Sequence, residues 1–143
     1  MSVGVKLRNA TADDADAILA LWKAADATPS VTDNADAIRR AAARPETAFL
    51  VAVVDGAIVG SVIGGFDGWR GNIYRLATHP AHRRRGVARA LVAKVEEALA
   101  GWGVRRITSL VENAHPDAVG FWRAIGYLDD RRISRYVRTL PGD

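Results

Sequence analysis

The chain has 143 residues, enough for one domain of ordinary size with its own core. Hydrophobic residues make up 49% and charged residues 25%, which excludes a chain that is disordered throughout. There are 20 basic and 16 acidic side chains, a net charge of +4, and the absence of cysteine excludes disulfides, thiolate metal sites and a cysteine nucleophile.

Residues 3–7 alternate and predict a strand, and the first fourteen residues lack the apolar core of a signal peptide. Thr11 with Asp14 three positions on predicts a capping box, followed by a helix carrying Ala15, Ile18, Leu19 and Trp22. Residues 26–34 read as a loop. Asp33 or Asn34 then caps a second, alanine-rich helix that ends before Pro45. Residues 48–66 hold a single charge, Asp55, and could pass for a membrane segment. Asp55-Gly56 divides them, which predicts a hairpin of two buried strands. Residues 64–71 read as a glycine-rich connection, and residues 72–78 as a strand stopped by Pro80. Apolar positions 87, 88, 91, 92, 95, 98 and 99 predict a helix closed by Gly101. Residues 104–111 predict a strand. Pro116 opens a helix with Ala118, Phe121, Trp122 and Ile125 on one stripe, ended by Gly126. A final strand region is expected from Tyr127 to about Thr139. This order predicts a single α/β (α+β) domain over residues 1–143, a mixed sheet covered by helices.

Charge is unevenly placed. Residues 1–60 carry a net −2 and residues 61–143 a net +6. Arg83, Arg84, Arg85 and Arg89 form a run with no acid between His79 and Lys94. A second group, Arg131, Arg132, Arg135 and Arg138, reads as a solvated face. The first run sits where a strand ends and a helix begins. Gly86 permits close approach or an unusual dihedral there, and Ala88 keeps the first turn small. A helix N-terminus offers unpaired N–H groups and a positive dipole end, and arginine adds charge-assisted bonds to phosphate. The segment has no GK[ST] and only one of the three glycines of a dinucleotide fingerprint. The other reading is an exposed basic helix start that touches nucleic acid. Little aromatic character interleaves with Arg83–Arg89, which argues against single-strand stacking.

Arg83-Arg84-Arg85-Gly86-Val87-Ala88 resembles the [RQ]-x-x-G-x-[GA] segment of the GNAT superfamily of N-acetyltransferases. Phe121-Trp122-Arg123-Ala124-Ile125-Gly126-Tyr127 is similar to that family's F-Y-x-x-x-G-[FY]. The opening residues 5–11, with Asp13 and Asp14, resemble its first strand and helix cap, and residues 64–71 resemble a segment of small bacterial YpeA-like acetyltransferases. The resemblance implies a mostly antiparallel mixed sheet flanked by helices, a GNAT-like acyl-CoA N-acyltransferase fold. It implies acetyl-CoA as co-substrate, no metal, and direct acetyl transfer to a primary amine of a small molecule, peptide or protein. It also implies a bulged strand in which Leu76, Ala77 and Thr78 pair with the pantetheine arm. Arg83, Arg84, Arg85, Gly86, Val87, Ala88 and Arg89 would then hold the pyrophosphate, with Asn113 and Trp122 as further cofactor contacts.

The match departs from the family at two catalytic positions. Many members have a glutamate base where this chain has Tyr74, and a tyrosine acid where it has Trp122, whose indole does not ionise usefully. Many also have an asparagine where His115 stands, with Asn113 two residues away. Three readings follow: proximity and water alone; substitute groups among Tyr74, Glu112, His115 and Tyr127; or acyl-CoA binding without fast turnover. Tyr74 and Glu112 are the catalytic candidates. In the fold that the resemblance implies, Asp26, Asp33, Asp67 and Glu112 are candidate contacts for a cationic acceptor, Asp67 having a turn-forming alternative. A cytoplasmic monomer or homodimer, with neither nucleic acid nor membrane as partner, is expected.

Overall fold

The computed structural model describes residues 4–142. Two compact units are distinguished, Met1–Ser109 and Leu110–Asp143. In the first, β1 (Lys6–Asn9), α1 (Ala15–Ala24), α2 (Ala35–Ala43), β2 (Thr47–Val54), β3 (Ala57–Phe66), β4 (Gly71–Thr78), α3 (Val87–Gly101) and β5 (Ile107–Ser109) follow one another. The sheet order is β1-β2-β3-β4-β5. The first three pairings are antiparallel and β4–β5 is parallel, so the sheet is mixed and mostly antiparallel. The strand expected from Val3 begins at Lys6, and Val3 itself lies outside the described residues.

Local chemistry accounts for most boundaries. Asp14 accepts the Thr11 backbone N–H at 2.8 Å, the reciprocal half of a capping box, and a 3₁₀ turn Ala12–Asp14 leads into α1. Asn34, rather than Asp33, caps α2 by accepting from Ala37 N–H at 2.9 Å. Asp55 and Gly56 both take positive φ, 49° and 79°, which a two-residue hairpin of right-handed twist requires. The apolar run of residues 48–66 is thereby divided between β2 and β3.

The two faces of this sheet are covered by different helices. Ile18, Leu21 and Trp22 of α1 and Ile38 of α2 pack with Phe49, Val51 and Ala77. Against the opposite face lie Val87, Leu91, Val95 and Leu99 of α3. That approach needs glycine: a Cβ on Gly60 would lie 2.8 Å from Val87 Cγ1, and one on Gly64 2.5 Å from Val95 Cγ1. Of the connection expected over residues 64–71, Gly64, Gly65 and Phe66 belong to β3 and Gly71 opens β4, so only residues 67–70 connect the strands. Contrary to expectation, α3 is not closed by Gly101, which is its last helical residue. Gly103, at φ 88°, takes the left-handed position, with Val104 N–H bonded to the Leu99 carbonyl at 3.0 Å.

The second unit contains α4 (Pro116–Ala124), ended by Gly126 at φ 97° with Tyr127 N–H bonded to the Trp122 carbonyl at 2.9 Å. The Trp122 and Tyr127 rings meet edge-on at 4.7 Å, the apolar contact that accompanies such a cap. Two strand expectations fail. The strand expected over residues 104–111 is only Ile107–Ser109, and the described residues from Tyr127 onward form no strand. Apolar residues there, Ile133, Tyr136, Val137 and Leu140, do not alternate, so no strand face can be assembled from them. Local polar bonds take over instead. Arg132 and Asp130 pair at 2.9 Å, and Ile133 N–H meets the Asp130 carbonyl at 3.3 Å.

Candidate active site

The pairing of β3 with β4 breaks at one place. Ser61 faces Ala77 and Ile63 faces Tyr74, so Val62 alone stands opposite Arg75 and Leu76. Two residues against one is a β-bulge, which takes main-chain groups out of the ladder and increases the local twist. Arg75 sits in the left-handed region at φ 53°. For a residue with a Cβ this costs about 1–2 kcal/mol, so the surroundings must hold it there. On its other edge β4 pairs with β5 only through Gly71, Asn72 and Ile73. Among the described residues, the edge of β4 from Tyr74 to Thr78 has no strand partner. An extended molecule carrying amides can bond to such an edge as an added strand would.

That edge runs into the basic bend. His79 N–H is held by the Val59 carbonyl at 2.8 Å, and its Nδ1 accepts from Ala81 N–H at 3.1 Å. Two left-handed residues follow, Arg84 at φ 63° and Gly86 at φ 79°, and α3 starts at Val87. Open space lies where a Cβ on Gly86 would project. The first turn of α3 holds no acid, and Arg83, Arg84, Arg85 and Arg89 are exposed. Free amide groups, a positive helix end and guanidinium groups facing open space fit a diphosphate. Val87 contributes at most its backbone, because its side chain is buried against Gly60. Ala88 is half-buried.

The connection between α1 and α2 belongs to this end of the sheet. Arg83 reaches the Ala25 carbonyl at 3.4 Å. Asp26, at φ 59°, is the left-handed cap of α1, and Ala27 N–H bonds to the Trp22 carbonyl at 3.0 Å. The half-buried Arg75 guanidinium donates to the Thr28 carbonyl at 2.8 Å and to the Asp33 carboxylate at 2.7 Å. Asp33 is thus neutralised within the fold and does not offer a bare charge to an amine. Arg75 and Ser61 had no role in the sequence reading, and Trp22 entered it only as part of the apolar stripe of the first helix. Ser61 carried a usable signal as the polar residue within the otherwise apolar run of residues 57–63.

The structure does not gather every candidate here. Asp67 lies in the β3–β4 turn, at the opposite end of β4 from the basic bend, a strand of eight residues that spans about 23 Å. Its Oδ1 accepts from Trp69 and Arg70 N–H, both at 2.8 Å, and these bonds, Arg70's first, hold its pKa below the ordinary value. That is the geometry of a turn-former. Tyr74, next to the bulge, is 41% exposed and opposite Ile63, on the face covered by α1 and α2. In the second unit Glu112 and His115 pair at 2.9 Å, Asn113 is exposed, and Trp122 is buried. A cavity of about 540 Å³, lined in part by Asn9, Arg44, Lys94 and Trp102, opens at the C-terminal end of α3, away from the bend.

Comparison with known proteins gives a consistent picture. A model of the acetyltransferase (GNAT) family matches residues 15–127. An acetyltransferase of Pectobacterium atrosepticum is 37% identical over 115 residues, 80% of this chain and 82% of that one. Among solved structures, AAC(6')-Iy in complex with the bisubstrate analogue CoA-S-monomethyl-acetylneamine superposes with TM-score 0.76 at 18% identity, over 95% of this chain and 99% of that one. A ribosomal-protein-alanine N-acetyltransferase of Brucella melitensis superposes with TM-score 0.71 at 20% identity, over 95% and 99%.

Proposed function

The chain belongs to the GNAT acetyltransferase family, enzymes that move an acetyl group to an amine, and from this we propose that it takes the acetyl group from acetyl-CoA and passes it directly to a primary amine. One observation carries the reading. The β4 ladder to β5 stops at Ile73, the Arg75–Leu76 bulge follows at once, and the strand then runs into a left-handed, arginine-rich helix start. The pantetheine amides pair with the free edge of β4, and Leu76 and Ala77 supply the main chain next to the thioester. The backbone at Gly86, Val87 and Ala88 takes the pyrophosphate, with Arg84, Arg85 and Arg89 as counter-charges. Bound there, acetyl-CoA supplies an activated acyl group, and the absence of cysteine fits direct transfer.

The protein's own task is then to hold an amine against that acyl group and to let it lose a proton. A lysine-like amine, with a pKa of about 10.4, is almost wholly protonated at neutral pH. Between Gly71 and Thr78, β4 carries no carboxylate. Tyr74 places a phenol hydroxyl beside the bulge, and proton removal runs to water with that hydroxyl as a relay that accepts one proton as it gives up its own. Much of the rate comes from holding the two reactants together. The acceptor enters beside residues 26–34. One neighbour named above is bound to an acetylneamine bisubstrate analogue and the other is a ribosomal-protein-alanine N-acetyltransferase, so the shared fold by itself does not fix the amine.

The test is thiol release from acetyl-CoA across a panel of aminoglycosides, polyamines, amino acids and peptide N-termini. With no cysteine in the chain, a thiol reagent reads the released CoA without background. At least one amine is expected to release thiol in step with loss of acetyl-CoA. Acetyl-CoA binding with no release from any amine would leave a binding domain, and no binding would remove the cofactor assignment.

A further inference from the structure

Among the described residues, four other than glycine have positive φ: Asp26, Asp55, Arg75 and Arg84. Three of them lie in a helix cap, a hairpin turn and a loop, where such a backbone is common. Arg75 lies inside a strand, where glycine or asparagine would adopt the conformation at lower cost. What arginine adds is reach. Its guanidinium spans 42 and 47 positions of sequence to bond Asp33 at 2.7 Å and Thr28 at 2.8 Å, and its central carbon lies 5.3 Å from the centre of the Trp22 ring. The Arg75 main chain is held separately. Its carbonyl accepts from the buried Ser61 hydroxyl at 3.3 Å, and that hydroxyl accepts from Trp22 Nε1 at 2.8 Å.

The bulge is therefore tied to the α1–α2 loop through its side chain and to α1 through its backbone, with Trp22 common to both ties. We propose that Arg75 is a positioning residue: its pairing with Asp33 and Thr28 makes the α1–α2 loop and the β4 bulge one mechanical unit, so that ordering of the loop around an amine sets the geometry of the main chain next to the thioester. The proposal rests on the reading of the bulge as the seat of the thioester. Both Arg75 and Asp33 are largely shielded from water, with side-chain exposures of 19% and 15%, so removing either leaves the other with an uncompensated charge. The coupling consequently acts in both directions.

The experiment uses the full chain as wild type, Asp33→Asn, Arg75→Lys and Arg75→Ala. Hydrogen exchange is followed by mass spectrometry, and the affinities for acetyl-CoA and for CoA are measured in parallel. Asp33→Asn, a change confined to the loop, is expected to raise exchange in residues 26–34 and also in residues 74–78, leaving β2 and α3 as they were. Its preference for acetyl-CoA over CoA is expected to fall by about fivefold to tenfold, the equivalent of one well-aligned hydrogen bond. Arg75→Lys, which keeps a charge but not two contacts, should fall between wild type and Arg75→Ala. A general loss of packing would weaken both ligands alike and leave their ratio unchanged. Faster exchange confined to the loop, with the wild-type ratio preserved, overturns the coupling. If Arg75→Ala does not fold, Asp33→Asn and Arg75→Lys decide the matter. A wild type with no preference for acetyl-CoA would overturn the thioester seat instead, and the exchange data would then judge the coupling by themselves.

Discussion

Gly86→Trp separates a folding role of the basic bend from a binding role. Gly86 has φ 79°, and a Cβ there would meet nothing within 4 Å. The substitution therefore clashes with no neighbour at its first carbon, and its stability cost is that of a left-handed backbone, about 1–2 kcal/mol. The ligand side is different, because the indole fills the space assigned to the pyrophosphate. At acetyl-CoA concentrations about 100 times Kd, a bound ligand stabilises the folded state by about 2.7 kcal/mol. For a chain of this length, about 3–4 °C per kcal/mol converts this to a rise in Tm of roughly 8–11 °C. A hundredfold loss of affinity at the same ligand concentration leaves about 0.4 kcal/mol, a rise under about 2 °C. Thermal denaturation of wild type and variant, each with and without acetyl-CoA, measures both quantities. The variant is expected to melt a few degrees lower without ligand and to show almost no ligand shift. A folded variant that keeps the full wild-type shift would refute the assignment of the bend.

Other expectations test neighbouring parts of the structure. The Arg8 side chain, bonded at 2.7 Å, is the largest cause holding Asp14 at a pKa of about 2 against an ordinary 3.8, with Thr11 N–H assisting. Because the folded value is the lower one, the stabilisation is present above about pH 4 and is lost as pH falls towards 2; Asp14→Asn should cost about 2 kcal/mol at pH 7 in urea denaturation and progressively less in acid. Gly64→Ala places a carbon 2.5 Å from Val95 Cγ1 and should destabilise the chain by about 1–3 kcal/mol, whereas a neutral result would contradict the close seating of α3 on the sheet. Tyr74→Phe should slow thiol release about 100-fold with acetyl-CoA affinity retained, and a rate within about twofold of wild type would leave proton removal to water alone. Asp67→Ala should leave the acetyl-CoA thermal shift unchanged, since its turn lies at the far end of β4; loss of the shift would show that the turn reaches the site.

Much of the candidate site could be read in the sequence because it is written in contiguous residues. The capping box at Thr11 and Asp14, the Asp55-Gly56 hairpin, the apolar stripe of α3 and the arginine run before Gly86 are all short-range patterns. Each depends on dihedral preference, on hydrogen bonds a few residues apart, or on helical period, and the family resemblance is carried by the same local motifs. The membership of Leu76, Ala77 and Thr78 in a strand leading into the bend was equally local. The limit of that kind of reading appears at Gly64, Gly65 and Gly103. Whether a glycine serves a turn, a cap or a close approach depends on what packs against it.

Tertiary structure decided the rest. The family resemblance implied a bulged strand, but that Arg75 and Leu76 form the bulge opposite Val62 is set by the register of β4 against β3, a non-local property that a one-residue slip would abolish. Arg75 and Asp33 lie 42 positions apart, and Trp22 and Ser61 lie 39 apart. No spacing rule connects them, because each pair forms only after the sheet and α1 have packed together. The same reason accounts for the strand expected after Tyr127. A strand is defined by the neighbour it bonds to, and no run of residues supplies that neighbour by itself. The amino-acid sequence by itself determined the family motifs, the helix start that suits phosphate and the absence of thiol chemistry. The fold determined which polar groups are neutralised, which part of β4 lacks a strand partner among the described residues, and which arginine ties the bulge to the α1–α2 loop.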